Sequence, residues 1–501
     1  MITVDGELSV ADVAAVARDH ERVELAEAAA TDMEDTRAVV REIVEAEERR
    51  VYGVNTGYGH MKNVPVPKAQ LETQQINLLR SHDVTVGDRF PIEVIRAAML
   101  VRANVLAQGH SGARVDLVEA LIALLNEGVH PVIRQGGNSD NAAGLANVGL
   151  VLIGEGEAIV DGDEVSGNSA LQRRGLDPLT LRAKEGVSLI SGTAVVTALL
   201  SLAVFDVETH LDTADVAGAW IFDLIGKEPS AFDPAIAEVH QQPGQARVAA
   251  NVRSLVDTQA TSRHMSQDPL SIRCIPQIHG TARQFLDVAR RTVETELDSV
   301  TDNPVVFPDG TVRSNGNFNG QHVATAADAL GRILLKLGWA SEQRFARLLE
   351  GPAGLPEQLT EHAGLEMGPS RLQYAAGSLV TEAATTGPAS AHSFVTASGQ
   401  EDVHAAGNIA GIGLRDILET MRHVVAAEML AAAHATQYVD SVSPRIERIN
   451  EALQTAVTVR KVDAPWAPRV EETAAFLHSE EFREVLDEVL PNTARSANRQ
   501  E

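Results

Sequence analysis

Ala194-Val195-Val196-Thr197-Ala198-Leu199-Leu200-Ser201-Leu202-Ala203-Val204-Phe205-Asp206-Val207 opens an Ala/Leu-rich run that continues to about Leu224. Its length and its apolar residues on several sides predict an inner helix of a bundle. A second such run covers Gly320–Leu349, and Ala375–Thr386 and Ile409–Ala435 extend the pattern. Towards the N-terminus, Asp12–Arg18 and Asp32–Arg50 carry apolar residues at three- and four-residue spacing behind acidic starts. Ile92–Gln108 and Val115–Asn126 repeat it, the latter closed by Glu127-Gly128 and then Pro131. Strand candidates are short: Ala158–Val160 with Glu164–Val165 around Asp161-Gly162-Asp163, and Val305–Phe307 with Thr311–Arg313 around Pro308-Asp309-Gly310. The expectation is a mainly α protein with small β ornaments and no internal repeat.

Composition narrows the function classes. Hydrophobic residues make up 44 % of 501 and aromatics only 4 %, so Ala, Val and Leu must fill the interior. The 42 Lys and Arg against 69 Asp and Glu leave a net charge of −27, which argues against a nucleic-acid surface and against an anionic membrane. Either a salt-rich cytoplasm or a GC-rich genome would account for that acidity. The N-terminal Met1-Ile2-Thr3-Val4-Asp5-Gly6-Glu7 has no basic region followed by an apolar stretch, so no signal peptide is expected. No apolar run reads as long enough to cross a bilayer, since Ile190–Val204 is broken by Ser191, Gly192, Thr193, Thr197 and Ser201. The single Cys274 fits a reducing compartment. A cytoplasmic protein is expected.

Between the helices, Tyr52-Gly53-Val54-Asn55-Thr56-Gly57-Tyr58-Gly59 sets three glycines around two of the chain's four tyrosines. Glycine admits backbone conformations other residues resist, so this is a shaped loop. Either it is a Gly-rich turn with a buried tyrosine, or it presents a phenol to a pocket as a proton acceptor. His264, His279, His322, His392 and His404 show no metal-ligand spacing, so no metal site is expected.

Further blocks follow in order: Asn77-Leu78-Leu79-Arg80-Ser81-His82, Arg102 to Gly112, Asn126 to Pro131 and Leu150 to Ala158. Gln267-Asp268-Pro269-Leu270-Ser271-Ile272-Arg273-Cys274-Ile275-Pro276-Gln277 comes next. Thr301-Asp302-Asn303-Pro304, Gly316-Asn317-Phe318-Asn319-Gly320-Gln321 and Gln400-Glu401-Asp402 complete the set. Together with the tyrosine loop they span about Val51 to Asp402, and the whole resembles the histidine/aromatic amino-acid ammonia-lyase family.

That resemblance implies an L-aspartase/histidase-like fold. A globular N-terminal domain with active-site loops (1–195) would precede a central bundle and C-terminal helices (196–501), assembled as a homotetramer whose active sites are shared between subunits. It implies that Tyr52 is the catalytic tyrosine and that Arg273, in a loop ending at Gln277, binds a carboxylate. His82 would contact an imidazole ring, Glu401 and Gln400 would lie near the same ring, and Phe318 would come from another subunit.

The chain departs from the family where the family's electrophile is made. Members cyclise Ala-Ser-Gly into a methylidene-imidazolone; counting back from Leu150-Val151-Leu152-Ile153 places Asn138-Ser139-Asp140 there. Cyclisation needs a tight turn that glycine reaches cheaply, and Asp140 adds bulk and charge. The cofactor is therefore not expected to form. The asparagine of the family's Asn-Gly-Thr-Gln is Ser191, and the tyrosine ahead of the carboxylate-binding arginine is Leu270.

Without the electrophile an α-ammonium is a poor leaving group. A trialkylammonium leaves more readily, and cofactor-free eliminations of trimethylamine from ergothioneine-type betaines are known from enzymes resembling this family. The reading is an amine lyase acting on an imidazole-type amino acid or its N-methylated betaine, with Tyr52 taking the β-proton and Asp140 holding the cation. Tyr58 and Phe318 offer aromatic faces to a quaternary ammonium. Two alternatives stay open: a conventional histidine or aromatic ammonia-lyase, and a silent homologue acting as an assembly partner.

Overall fold

The computed structural model describes residues 1–226, 228–257, 267–461 and 463–490; His264 lies outside them. Helices account for 64 % of the structure, and the mainly α expectation is met. The chain gathers into two compact units: Met1–Phe205 with Ala289–Asp328 and Pro388–Gly413, and Asp206–Val288 with Ala329–Gly387 and Leu414–Glu501.

In the first unit the helix Ile92–Ala107 is buried without interruption from Val94 onward. Two of its buried polar side chains are fully matched. Arg96 donates to the carbonyls of Val16 and Leu125, both at 2.9 Å. Asn104 receives the Gly6 amide at 3.0 Å and donates to Leu297 O at 3.0 Å. Such pairing is what makes a buried polar side chain tolerable. The helix Asn141–Leu152 comes close to Leu71–His82 because Gly149 has no side chain; a Cβ there would stand 2.8 Å from Leu79 Cδ1.

Both expected hairpins form. Glu157–Val160 pairs antiparallel with Asp163–Ser166, Ala158 opposite Val165, and Val305–Val306 pairs with Val312–Arg313. Three further pairs were not expected: Ile2–Val4 parallel to Val23–Leu25, Val86–Arg89 antiparallel to Arg134–Gly136, and His130–Pro131 antiparallel to Glu157–Val160. They are too short to carry an alternating pattern. The helix expected over Asp32–Arg50 runs instead from Glu27 to Ala46 and stops at Glu47, whose φ of 52° is left-handed.

The expectation that no apolar run could span a bilayer needs correction. Glu185–Ile225 contains a window long and apolar enough, but 94 % of that window is buried inside the protein. The helix Ala194–Ile225 has the apolar composition of a core element.

The second unit is tied by a buried ionic network. His279 Nδ1 lies 2.8 Å from Asp215 Oδ1. Arg283 donates to Asp212 at 2.8 Å and to Asp215 at 2.5 Å, and Asn251 donates to Asp215 at 2.8 Å. Arg344 grips Glu428 with two bonds of 2.6 and 3.0 Å, and Ser341 adds a third at 2.5 Å. Removing one partner from such a network leaves a buried charge uncompensated, which is strongly destabilising.

Candidate active site

The tyrosine loop is held by its own side chains. Asn55 accepts the Val51 amide at 2.8 Å and donates to Arg49 O at 2.9 Å. Gly57 N donates to Val64 O and Val66 N to Asn55 O, closing the loop at 2.9 and 3.0 Å. Gly57 must be glycine, since a Cβ there would meet Met61 O at 2.7 Å. The rings of Tyr52 and Tyr58 stand edge to face, centroids 6.3 Å apart. Gln75, fully buried, donates to the Tyr58 hydroxyl at 2.9 Å while accepting the Gly186 amide at 2.9 Å.

Burial pushes the Tyr52 phenol above its ordinary pKa, a hydrogen bond from the Gly59 backbone opposes this, and the charge of Glu401 adds to the rise. Tyr52 is thus a phenol at neutral pH, and its anion, once formed, is a strong base with an amide donor waiting for it. A cation brought close would favour that anion.

Glu401 and Gln400 reach the same loop. Glu401 Oε2 accepts from Thr396 Oγ at 2.8 Å. Its Oε1 lies 4.0 Å from the position a Cβ of Gly59 would take. Gln400 Oε1 accepts from Lys62 Nζ. Tyr52, Gln400 and Glu401 are therefore gathered around residues 52–62.

The turn Asn138-Ser139-Asp140 is built differently. Asp140 is the N-cap of the helix Asn141–Leu152, with extended backbone (φ −134°, ψ −176°), and its carboxylate accepts the Ala142 amide at 3.0 Å. Such a cap satisfies an otherwise orphaned helix donor. Asn408 donates through Nδ2 to Asn138 Oδ1 at 2.9 Å and to Asp140 O at 2.5 Å, and its backbone amide donates to Ser139 O at 3.3 Å. Asn138 Nδ2 donates to Arg134 O at 3.2 Å. Asp140 is thus extended and committed to capping.

Asn141 links this turn to the next loop, donating to Ile190 O at 3.0 Å and accepting from Val195 N at 2.9 Å. Within the bracketed loop, Ser191 Oγ accepts the Asn303 amide at 3.1 Å. Phe318, on the turn Asn317–Asn319, is 41 % exposed. His82 sits at the end of its helix with Nδ1 at 2.8 Å from Leu78 O. That nitrogen serves the helix.

Arg273 and Gln277 belong to the second unit. Arg273 ends the short helix Leu270–Arg273, and Gln277 lies in the first turn of Ile275–Leu297. Arg273 Nε and Gln277 Oε1 are buried with no hydrogen-bond partner among the described residues. An orphaned guanidinium nitrogen is suited to a carboxylate.

Sequence reasoning passed over Asn408, Thr396 and Gln75. The partner of Asn408 lies 270 positions away at Asn138, and a lone amide or hydroxyl, even one as near its partner as Thr396 is to Glu401, carries no spacing signal.

Residues 8–458 match the aromatic amino acid lyase family. The histidine ammonia-lyase of Symbiobacterium thermophilum is 38 % identical over 500 residues, covering 97 % of this chain and 98 % of that protein. Among solved structures, the tyrosine aminomutase from Streptomyces globisporus superposes with a TM-score of 0.92 at 32 % identity, over 98 % of this chain and 99 % of that one. Ergothionase from Treponema denticola, an ergothioneine-degrading enzyme, shares the fold with a TM-score of 0.90 at 23 % identity, over 97 % and 99 % of the two chains. The chain belongs to the aromatic amino acid lyase family, the family of the histidine ammonia-lyases, and is a carbon–nitrogen lyase.

Proposed function

We propose that this lyase eliminates an amine from an imidazole-type amino acid or its N-methylated betaine, without a methylidene-imidazolone. The observation that carries the reading is Asp140, an exposed carboxylate on a turn tied down by Asn408. In the proposed step Tyr52 first gives its own proton to solvent as the cationic substrate binds; its phenolate then takes the β-proton, the C–N bond breaks with its electrons staying on nitrogen, and a double bond forms between the α and β carbons. A trialkylammonium leaves as a neutral amine and needs no electrophile to assist it. Asp140 holds the cation, Arg273 with Gln277 holds the carboxylate, and His82, Glu401 and Gln400 receive the ring. Phe318 and Ser191 complete the walls.

The same proposal includes a cytoplasmic homotetramer in which Arg273 and Phe318 reach the site from neighbouring subunits. The fold shared with ergothionase, an ergothioneine-degrading enzyme, supports the betaine reading. Conventional histidine deamination is the second reading, favoured by the 38 % identity to a histidine ammonia-lyase across almost the whole chain.

The test is amine release from histidine, its trimethyl betaine, the thiol-bearing betaine, tyrosine and phenylalanine, at low and high salt. It is paired with the mass of the peptide holding Asn138-Ser139-Asp140. Trimethylamine with an unmodified peptide mass is the expected result. Ammonia from histidine, with a peptide lighter by two waters, would establish the conventional lyase. No amine from any member would point to a silent homologue.

A further inference from the structure

We infer that Thr396 and His404 are positioning residues that lock one oxygen of Glu401, leaving the other as the acceptor that selects a substrate ring bearing an N–H. This deepens the function proposed above and rests on its imidazole-type substrate.

The lock is a chain of single hydrogens. Thr396 Oγ gives its only hydrogen to Glu401 Oε2 at 2.8 Å. His404 Nε2 lies 3.2 Å from the same Oγ, so the hydroxyl accepts there and the imidazole carries its hydrogen on Nε2. His404 is itself fixed from two sides. Its backbone amide donates to Ser393 Oγ at 2.9 Å, and its ring lies flat on Phe394, centroids 4.4 Å apart and planes 6° from parallel.

The backbone reinforces the arrangement. Thr396 N donates to Glu401 O at 2.8 Å, closing a turn in which Ala397 and Ser398 adopt left-handed φ of 46° and 55°. Non-glycine residues hold that conformation at a cost, so the surrounding contacts must fix it. With Oε2 taken, Oε1 is the free oxygen, 4.0 Å from the Cβ that Gly59 lacks. It therefore faces the loop that carries Tyr52. A carboxylate oxygen in that place accepts an N–H and has nothing to offer a ring nitrogen capped by methyl.

The experiment uses the full-length protein with Thr396→Val, Thr396→Ser, His404→Gln and His404→Phe. Calorimetric binding of imidazole-4-acrylic acid and its ring-N-methyl derivative needs no turnover and is read beside KM and kcat for amine release. Thr396→Val should weaken the N–H ligand and raise KM by about 10–100-fold, with the N-methyl ligand changing by less than about threefold. Thr396→Ser and His404→Gln, which keep the hydroxyl and an N–H, should stay near wild type; His404→Phe should follow Thr396→Val. Nitrogen-15 NMR should find the His404 hydrogen on Nε2.

Equal binding of both ligands by wild type and Thr396→Val, no binding by wild type, or a hydrogen on Nδ1 would each overturn the inference. If wild type releases no amine yet binding depends on Thr396 as stated, the lyase reading fails and the positioning role stands. Amine release that ignores Thr396 would do the reverse.

Discussion

Asn408 and Asp140, 268 positions apart, meet through a 2.5 Å hydrogen bond from the Asn408 side-chain amide to the Asp140 backbone oxygen. Asn408 also holds Asn138 by its side chain and Ser139 by its backbone. One residue thus fixes the whole turn Asn138-Ser139-Asp140, and it leaves the Asp140 carboxylate aimed by its capping bond.

Replacing Asn408 by Ala should destabilise the protein by about 1–3 kcal/mol, because acceptors on Asn138 and Asp140 lose their donor in a buried place. Urea unfolding measures it. Amine release should fall with it, since Asp140 would no longer be held. Unchanged stability would show that water replaces the amide without loss.

Asp140→Asn separates the cap from the charge. Asn is as good an N-cap as Asp, so the melting temperature should move little. The cation-holding role predicts a KM raised roughly tenfold for a cationic substrate, the loss of about 1.4 kcal/mol. A KM that does not move would remove Asp140 from the cation site and leave it a structural cap.

The parts of this molecule that could be read beforehand are those whose signal is local. Ala194–Ile225 and Val115–Asn126 announce themselves by length or apolar spacing, and the hairpin at Asp161-Gly162 by its turn residues. Residues 52–59 stand out because glycines and tyrosines concentrate there. The polar helix Leu71–His82 buries only Leu71, Gln75, Leu78 and Leu79, too sparse a stripe to read as a helix, so it was seen only as a chemical motif. Asn408 acts through partners brought together by the fold, and Thr396 through a local turn that no spacing pattern marks. The side-chain direction of His82, with one nitrogen given to its own helix, is likewise a matter of conformation.

Tyr52→Phe should reduce amine release by about 10²–10⁴-fold, the usual contribution of a positioned base. The ring and its contact with Tyr58 are kept, so stability should hold. Full activity in this variant would move the base to another group.

Acid should weaken the fold through its buried histidines before it reaches ordinary carboxylates. Burial, with Arg96 close by, lowers His130 to about 4. Burial and Arg422 lower His478 to about 4. In the unfolded chain both titrate near 6.5. Between those values the unfolded state binds protons that the native state refuses, so stability is fully present above pH 6.5 and drains away as pH falls towards 4. Each such histidine contributes a slope of about 1.4 kcal/mol per pH unit within the window. Burial tends to raise Asp215, but Arg283 and His279 outweigh it and hold the carboxyl well below the usual range, so its contribution is lost only at lower pH. Urea unfolding at pH 7, 6 and 5 should show the decline, and His130→Gln should flatten it by one histidine's share. Identical slopes in wild type and variant would mean that His130 is protonated in the folded protein.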